Sequence, residues 1–307
     1  MATTVVMPPS NTESYASKFE PRLIELYKRG SLTAPLDTPE ERVNWIGAKT
    51  VNLFTFTSVG MGNYDRDAGY VIGDVNAGWQ PFEIQVDRGR AYQIDSMSAD
   101  ETLGMELSSM LSQTERLHLI PEIDSYRFAK IAGTSGILGT TGNITPGTTD
   151  VAALIDAADA EMDENEVPYE NRILYVSPNC YSALKANIER RIINSEDNVN
   201  TNVEYFDDKR IIRVPLSRFN TAITLNAPTA HDGVGGYTQT GNAINFMIVH
   251  PSAVLSVVKH RISPVFTPAQ NIEADAYRAN FRCYHDFWVI PQLKKGIYMH
   301  AGTTISG

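Results

Sequence analysis

The sequence predicts an α+β chain: a long β-hairpin, a spine helix, an inserted α/β unit and a β-rich tail that returns to the spine. Three observations carry this. Apolar residues recur at period two near 51–56 and again at Phe82, Ile84 and Val86. From Ser98 to Ala132 they recur near 3.6 instead. A Gly/Thr run, GTSGILGTTGNITPGTT at 133–149, then separates that helix from a new helix–strand–helix pattern.

Residues 1–50 hold little that could form a core. Phe19, Leu23, Leu26 and Tyr27 suggest one short amphipathic helix with Pro21 in its first turn. Pro8, Pro9, Pro35 and Pro39 break anything longer. Such a segment borrows its packing partner, either as a strap across its own domain or as an arm across a neighbouring subunit.

Over 51–97, TVNLFTFTS sets Val51 and Leu53 against Phe54 and Phe56, and GWQPFEIQVDRGRAYQID supplies the return leg. The Gly/Asn/Asp-rich stretch between them forms turns. Legs of ~15 residues would reach ~50 Å, longer than a compact domain needs, so the hairpin is expected to project. Ser98 and Asp100 are N-cap candidates for the spine. Leu103, Leu107, Met110, Leu111 and Leu117 form its stripe, and Pro121 kinks it before PEIDSYRFAKIA.

Past the linker, Val151, Leu154, Ile155, Ala158 and Met162 give a helix whose other face is acidic. Ile173–Val176 reads as a buried strand, and Ser177-Pro178 starts the next helix. Strand-like IIRVP and the Gly-rich GVGGYTQTGN complete the unit. The tail is mainly β, through NFMIVHPSAVLSVVKHRI, NFRCYHDFWVI and GIYMHAG.

With 307 residues the chain has room for roughly two domains at ~150 residues each. Lys+Arg number 26 against 36 Asp+Glu, a net charge of −10. That balance argues against gripping nucleic acid through a broad basic face. The doublets Arg190-Arg191, Lys209-Arg210 and Lys294-Lys295 are scattered, as solvated surface charges are. Cys180 and Cys283 form no CxxC pair, which suits a reduced, intracellular setting. The first residues do not read as a secretory signal, and no stretch approaches the ~18 apolar residues of a membrane span.

Chemical motifs are sparse. Asp156, Asp159 and Asp163 share a helix face that reads as solvated and not as a metal site. GMGNYD and GVGGYT lack the strand–helix context of a dinucleotide loop. His250, His260, His285 and His300 fall in the β-rich tail without HExxH or a carboxylate at ligand spacing. Cys180 sits in a helix's first turn, as much a packing position as a nucleophile's. No catalytic, cofactor-binding or metal site stands out, and the chain reads as non-enzymatic.

Several local sequences carry a family resemblance. VDRGRAYQID, SADETLG and IPEIDSYRFAKIA resemble the hairpin-to-spine stretch of tailed-phage and prophage major capsid proteins. YVSPNCYSALK, RIIRVPLSRF, NFMIVHPSAVLSVVKHR and IEADAYRANFRCYHD resemble the rest of that family in order. The resemblance implies the Hong Kong 97-type capsid fold. It makes 1–50 an N-arm, 51–97 an extended loop, 98–132 with 245–307 a peripheral domain, 133–145 a linker and 146–244 an axial domain. It also implies pentamers and hexamers closing an icosahedral shell around double-stranded DNA in the virion, assembled in the host cytoplasm.

The expected partners are other copies of the chain, a separate scaffolding protein, a portal and a decoration protein, with no cofactor and no membrane. Some family members weld subunits through a lysine of the extended loop. Residues 51–97 contain no lysine, so no such bond is expected from it. Asp65, Arg66, Asp67, Asp87, Arg88 and Arg90 are the candidates for contacts between subunits. The alternatives are an encapsulin-like bacterial compartment shell and a cytoplasmic enzyme using Cys180 or the C-terminal histidines.

Overall fold

The fold is described from a computed structural model covering residues 30–39, 43–47, 49–67, 69–97, 113–187, 204–227, 233–262 and 264–305. The short helix expected near Phe19 and the first half of the spine, through residue 112, lie outside the described residues.

After residues 30–39, which include a single helical turn at Ala34–Leu36, comes an antiparallel ribbon of three strands. β1 (Asn44–Trp45) borders β2 (Thr50–Ser58), which pairs antiparallel with β3 (Val75–Glu83) from Thr50↔Glu83 to Ser58↔Val75. Nine residues per strand span about 30 Å, shorter than the legs expected. The return leg is cut at residues 84–85, where the chain crosses into a different sheet. There Ile84 N–H donates to Lys49 O at 3.0 Å and Gln85 N–H to Asp286 Oδ2 at 2.9 Å. β4 (Val86–Asp95) then pairs with a strand of the tail and not with β2.

The spine enters through a π-helical turn, Glu115–Leu119, and continues as α1 (Ile120–Ala132). Pro121 explains the wide turn. A proline has no N–H to donate and its ring crowds the carbonyl four residues back, so the helix widens just before it. Ile120 N–H accordingly reaches Glu115 O, five residues away.

β5 (Leu138–Thr141), α2 (Val151–Glu164), β6 (Ile173–Val176), α3 (Pro178–Asn187), β7 (Tyr205–Phe206) and β8 (Lys209–Arg213) follow. Asp150 caps α2 by accepting from Ala153 N–H at 3.2 Å, and Ser177 Oγ accepts from Cys180 N–H at the start of α3. β9 (Ile223–Leu225) and β10 (Tyr237–Gln239) form a small hairpin. β11 (Asn242–Val249), β12 (Val254–Ile262), β13 (Val265–Phe266), β14 (Ala276–Val289) and β15 (Ile297–Ile305) complete the order.

The tail divides between two sheets. β12, β13 and β4 all pair with β14. β11 and β15 lie in a six-stranded sheet in the order β5-β15-β11-β6-β8-β7, one face of which packs Met247, Val249 and Ile297 against Phe128 and Ile131 of the spine. That sheet is covered on both faces, so β6 (ILYV) and the end of β11 (FMIV) run as continuous apolar stretches. Tyr175, Met247 and Val249 turn to one core with Phe128 and Ile131 of α1, Phe219 and Phe287. Leu174, Val176, Phe246 and Ile248 turn to the other, with Val151, Ile155, Ala158 and Met162 of α2 and Cys180 and Leu184 of α3. The peptide sandwiched between spine and helices is thus the central strand ILYV.

Candidate interaction surface

The ribbon is two-faced by register. Val51↔Phe82, Leu53↔Gln80, Thr55↔Gly78 and Thr57↔Asn76 lie on one face. At its base that face is anchored: Val51 and Phe82 pack with Ile84, Leu255 and Val257, and Phe82 lies 5.5 Å from Trp288. The opposite face carries Phe54↔Trp79 and Phe56↔Ala77. Phe54 and Trp79 meet edge to face at 5.1 Å, yet Phe54, Phe56 and Trp79 remain 54%, 57% and 55% exposed. Beyond them Met61, Tyr64, Tyr70, Val71, Ile72 and Val75 are exposed as well. Burying each large side chain is worth about 1.5–3 kcal/mol, and an apolar patch of this extent marks a contact surface.

The six charged candidates fall into two groups. Asp65, Arg66 and Asp67 sit at the far end of the ribbon, where Asp67 N–H donates to Asp65 Oδ1 at 2.8 Å and Asp65 and Gly69 form a bridge. Asp87, Arg88 and Arg90 lie on β4, beside β14, and make bonds within the chain. Arg282 donates twice to Asp87, at 2.9 and 2.6 Å. Arg88 donates to Glu122 of α1 at 2.6 and 3.2 Å, to Asn226 O at 2.7 Å and to Gly236 O at 3.1 Å. Arg90 donates to Gly233 O at 3.0 Å.

Residues 30–39 are strapped to their own domain. Asp124 of α1, fully buried, accepts from Ser31 Oγ, Leu32 N–H, and both the N–H and the hydroxyl of Thr33, the last at 2.6 Å. Arg218 donates to the same carboxylate at 2.9 Å. Arg127 holds the strap from the next turn through Thr33 O, Thr33 Oγ1 and Asp37. Leu36 closes the contact by entering the core. For these residues the strap is the arrangement found. Sequence reasoning missed Asp124, Arg127 and Arg218. The available signal was the 3-residue spacing of Asp124 and Arg127 on a helix already bearing a full apolar stripe.

The acidic face of α2 is solvated only in part. Asp156, Glu161 and Glu164 are exposed. Asp159 instead lies buried between Arg172 at 3.1 Å and Lys209 at 2.8 Å, and Arg172 also reaches Asp163. The correction follows from β6 and β8, which start beside the lower half of α2 and bring both cations under it.

Groups suited to other chemistry are held out of use. Cys180 is buried, and burial pushes its thiol up to about 12, which leaves no thiolate for nucleophilic work. His285 packs edge-on against Tyr126, and burial with Arg127 nearby pushes it down to about 4. His300 stacks on Phe246 and meets Asn245 through Nδ1. Among the described residues no group of three or more His, Cys, Asp or Glu is placed to hold a metal, and no helix is long and apolar enough to cross a membrane.

No protein-family model and no curated protein sequence matches the chain. Solved structures do. The capsid structure of the cyanophage P-SCSP1u superposes with a TM-score of 0.66 over 95% of this chain and 94% of that one, at 14% identity. A chain of Gordonia phage Cozz gives 0.62 over 99% and 100%, at 13% identity. The mature capsid of bacteriophage PhiM1 gives 0.57 over 84% and 83%, at 12% identity. The chain has the phage capsid fold. At these identities the shared property is the fold, an α+β architecture of the Hong Kong 97 type, and it extends over nearly the whole chain. Among the described residues, the ribbon's outward face leaves Phe54, Phe56 and Trp79 more than half exposed.

Proposed function

We propose that this chain is the major capsid protein of a tailed bacteriophage, assembling as pentamers and hexamers into an icosahedral shell around packaged double-stranded DNA. The observation that carries the reading is the ribbon's outward aromatic face within a chain that superposes end to end on phage capsids. The face bearing Phe54, Phe56 and Trp79, opposite the anchored face, stays more than half exposed among the described residues, and a second copy supplies its cover. The end of the ribbon, where Asp65, Arg66 and Asp67 are exposed, is the charged group assigned to contacts between subunits. Asp87, Arg88 and Arg90 fix the ribbon's root, so their part in such contacts is to set its direction.

The role is structural and not enzymatic, and it places the protein in the virion after assembly in the host cytoplasm. Residues 1–50 act as N-arm, 51–97 as extended loop, 98–132 with 245–307 as peripheral domain, 133–145 as linker and 146–244 as axial domain. Scaffolding protein, portal and decoration protein are separate partners. The DNA is enclosed without sequence-specific contacts, consistent with a net charge of −10. Electron microscopy of the purified protein, alone and with its scaffold, tests the reading. Closed particles of uniform diameter are expected; a compact monomer under all assembly conditions overturns it.

A further inference from the structure

Two long strands each leave one edge unpaired among the described residues: β3 on the side away from β2, and β4 on the side away from β14. Hydrogen bonds fix which backbone groups face outward there. Val59 N–H donates to Asp74 O and Ile84 N–H to Lys49 O, so the even-numbered residues of β3 bond to β2. Val75, Ala77, Trp79 and Pro81 therefore turn their backbone groups out. Ser96 N–H donates to Asp275 O, so the even-numbered residues of β4 bond to β14, and Gly89, Ala91 and Gln93 turn theirs out. All seven of these residues are exposed.

An open edge is a template for another strand, and proteins blunt the edges that stay in solvent. Pro81 blunts the root of the β3 edge, because its nitrogen faces outward and carries no proton. That leaves the N–H groups of Val75, Ala77 and Trp79. β4 has no such guard: it holds unbroken register from Val86↔His285 to Asp95↔Ala276 and contains no proline. The two edges also match in shape. In an antiparallel pair joined through outward groups, directly opposed residues share one face. Setting Trp79 opposite Gly89 puts Ala77 opposite Ala91 and Val75 opposite Gln93. The indole then lies over a residue without a side chain, next to Arg282, which is Gly89's partner on β14 and has a side chain 56% exposed. An aromatic ring covering an edge glycine and a guanidinium beside that ring are both favourable. Parallel pairing would bring Trp79 to the face of Arg88 and Arg90, which are bonded to Glu122 and Gly233.

We infer that β3 of one copy adds to the outer edge of β4 of a second copy, antiparallel and with Trp79 opposite Gly89. The ribbon of one subunit and the β4–β14 sheet of the next then form one continuous sheet. This rests on the shell reading above and names where the ribbon lands. A single chain cannot make the pair with itself. Ile84 and Gln85, the two residues between β3 and β4, are bonded to Lys49 and Asp286, which holds the strands in different sheets. Backbone bonds supply the attraction, and the ring over Gly89 sets the register.

The experiment mixes equal amounts of Ala77→Cys and Ala91→Cys proteins, assembles them, oxidises the particles and maps disulfides by peptide mass spectrometry. The native Cys180 and Cys283 are buried. Each copy carries one introduced thiol, so a 77–91 disulfide must join two copies, and opposed Cα atoms about 5.5 Å apart lie within disulfide reach. The 77–91 link is expected as the main product. Asn76→Cys, whose side chain stands on the anchored face of the ribbon, is expected not to link to Ala91→Cys. Ala77→Pro removes one outward donor without touching a bond to β2. It is expected to raise the threshold concentration for assembly about tenfold while the subunit's circular dichroism is unchanged. Should that variant lose its fold, the cross-link alone decides. Particles without the 77–91 link, equal linking through Asn76→Cys, or a folded Ala77→Pro protein that assembles at the wild-type threshold overturn the inference and leave the shell reading intact. Links of 77 to 77 would pair ribbon with ribbon, and links of 91 to 91 would pair two β4 edges; either as the main product also overturns it. Absence of particles from the wild-type protein overturns the shell reading instead.

Discussion

Arg218 donates to Asp124 at 2.9 Å with its side chain 3% exposed and that of Asp124 fully buried. This pair joins the spine helix to the turn before β9, and the same carboxylate receives the backbone of residues 32–33. One buried charge therefore fixes three segments far apart in sequence. Removing it by Asp124→Ala takes the carboxylate from Arg218, which keeps the Gly30 carbonyl, and leaves the N–H groups of Leu32 and Thr33 without this acceptor. A loss of about 3–5 kcal/mol is expected, read as the shift in a urea unfolding curve. Cleavage of the strap near residues 30–39 by a dilute protease should quicken in parallel.

The ribbon should behave in the opposite way. Phe54→Ser with Trp79→Ser changes exposed side chains, so subunit stability is expected to move by no more than about 0.5–1 kcal/mol. Assembly should nonetheless fail or need far more protein, measured by light scattering against concentration. A variant that unfolds readily would mean the aromatic face already serves its own domain.

His285 gives the subunit a pH dependence of known sign. Its folded value is pushed down to about 4 by burial first and then by Arg127 and Arg88, with Asp286 opposing them. The unfolded chain takes up that proton near 6.5, so stability is complete above about 6.5 and is lost as pH falls towards 4. The shift corresponds to roughly 3 kcal/mol. Unfolding free energies at pH 7 and 4.5 should differ accordingly, and His285→Gln should remove most of the difference.

Two acids on one helix should separate cleanly. Glu161→Gln is expected to leave stability within about 0.5 kcal/mol, because Glu161 is exposed. Asp159→Ala removes the carboxylate that Arg172 and Lys209 share beneath α2, leaving them Asp163 and Asp207, and should cost about 1–3 kcal/mol. Thermal melting of the two variants side by side distinguishes a solvated residue from a buried one.

These contrasts show where sequence reading works in this fold. Ile173–Val176, the capped starts of α2 and α3, and the ribbon strands follow from local periodicity and capping residues. The crossing at residues 84–85 does not, because Phe82, Ile84, Val86 and Tyr92 keep much the same alternation whichever partner they face. Only the pairing of β4 with β14, almost two hundred residues on, decides it. The position of β11 and β15 inside the six-stranded sheet is non-local for the same reason. Among the charges, Asp87, Arg88 and Arg90 looked available for a neighbour because sequence cannot show Arg282, Glu122 and Gly233 beside them. Asp159 looked like surface for want of its buried cations, and Asp124 gave no sign of the Arg218 that it meets.

The central claim is that the ribbon's aromatic face is covered by another copy in a closed shell. A cryo-electron microscopy reconstruction of purified particles, at a resolution that shows side chains, tests it most directly. The account requires icosahedral particles in which Phe54, Phe56 and Trp79 are packed against a second subunit. Closed particles in which those three rings face solvent, or protein that yields no particles, would contradict it.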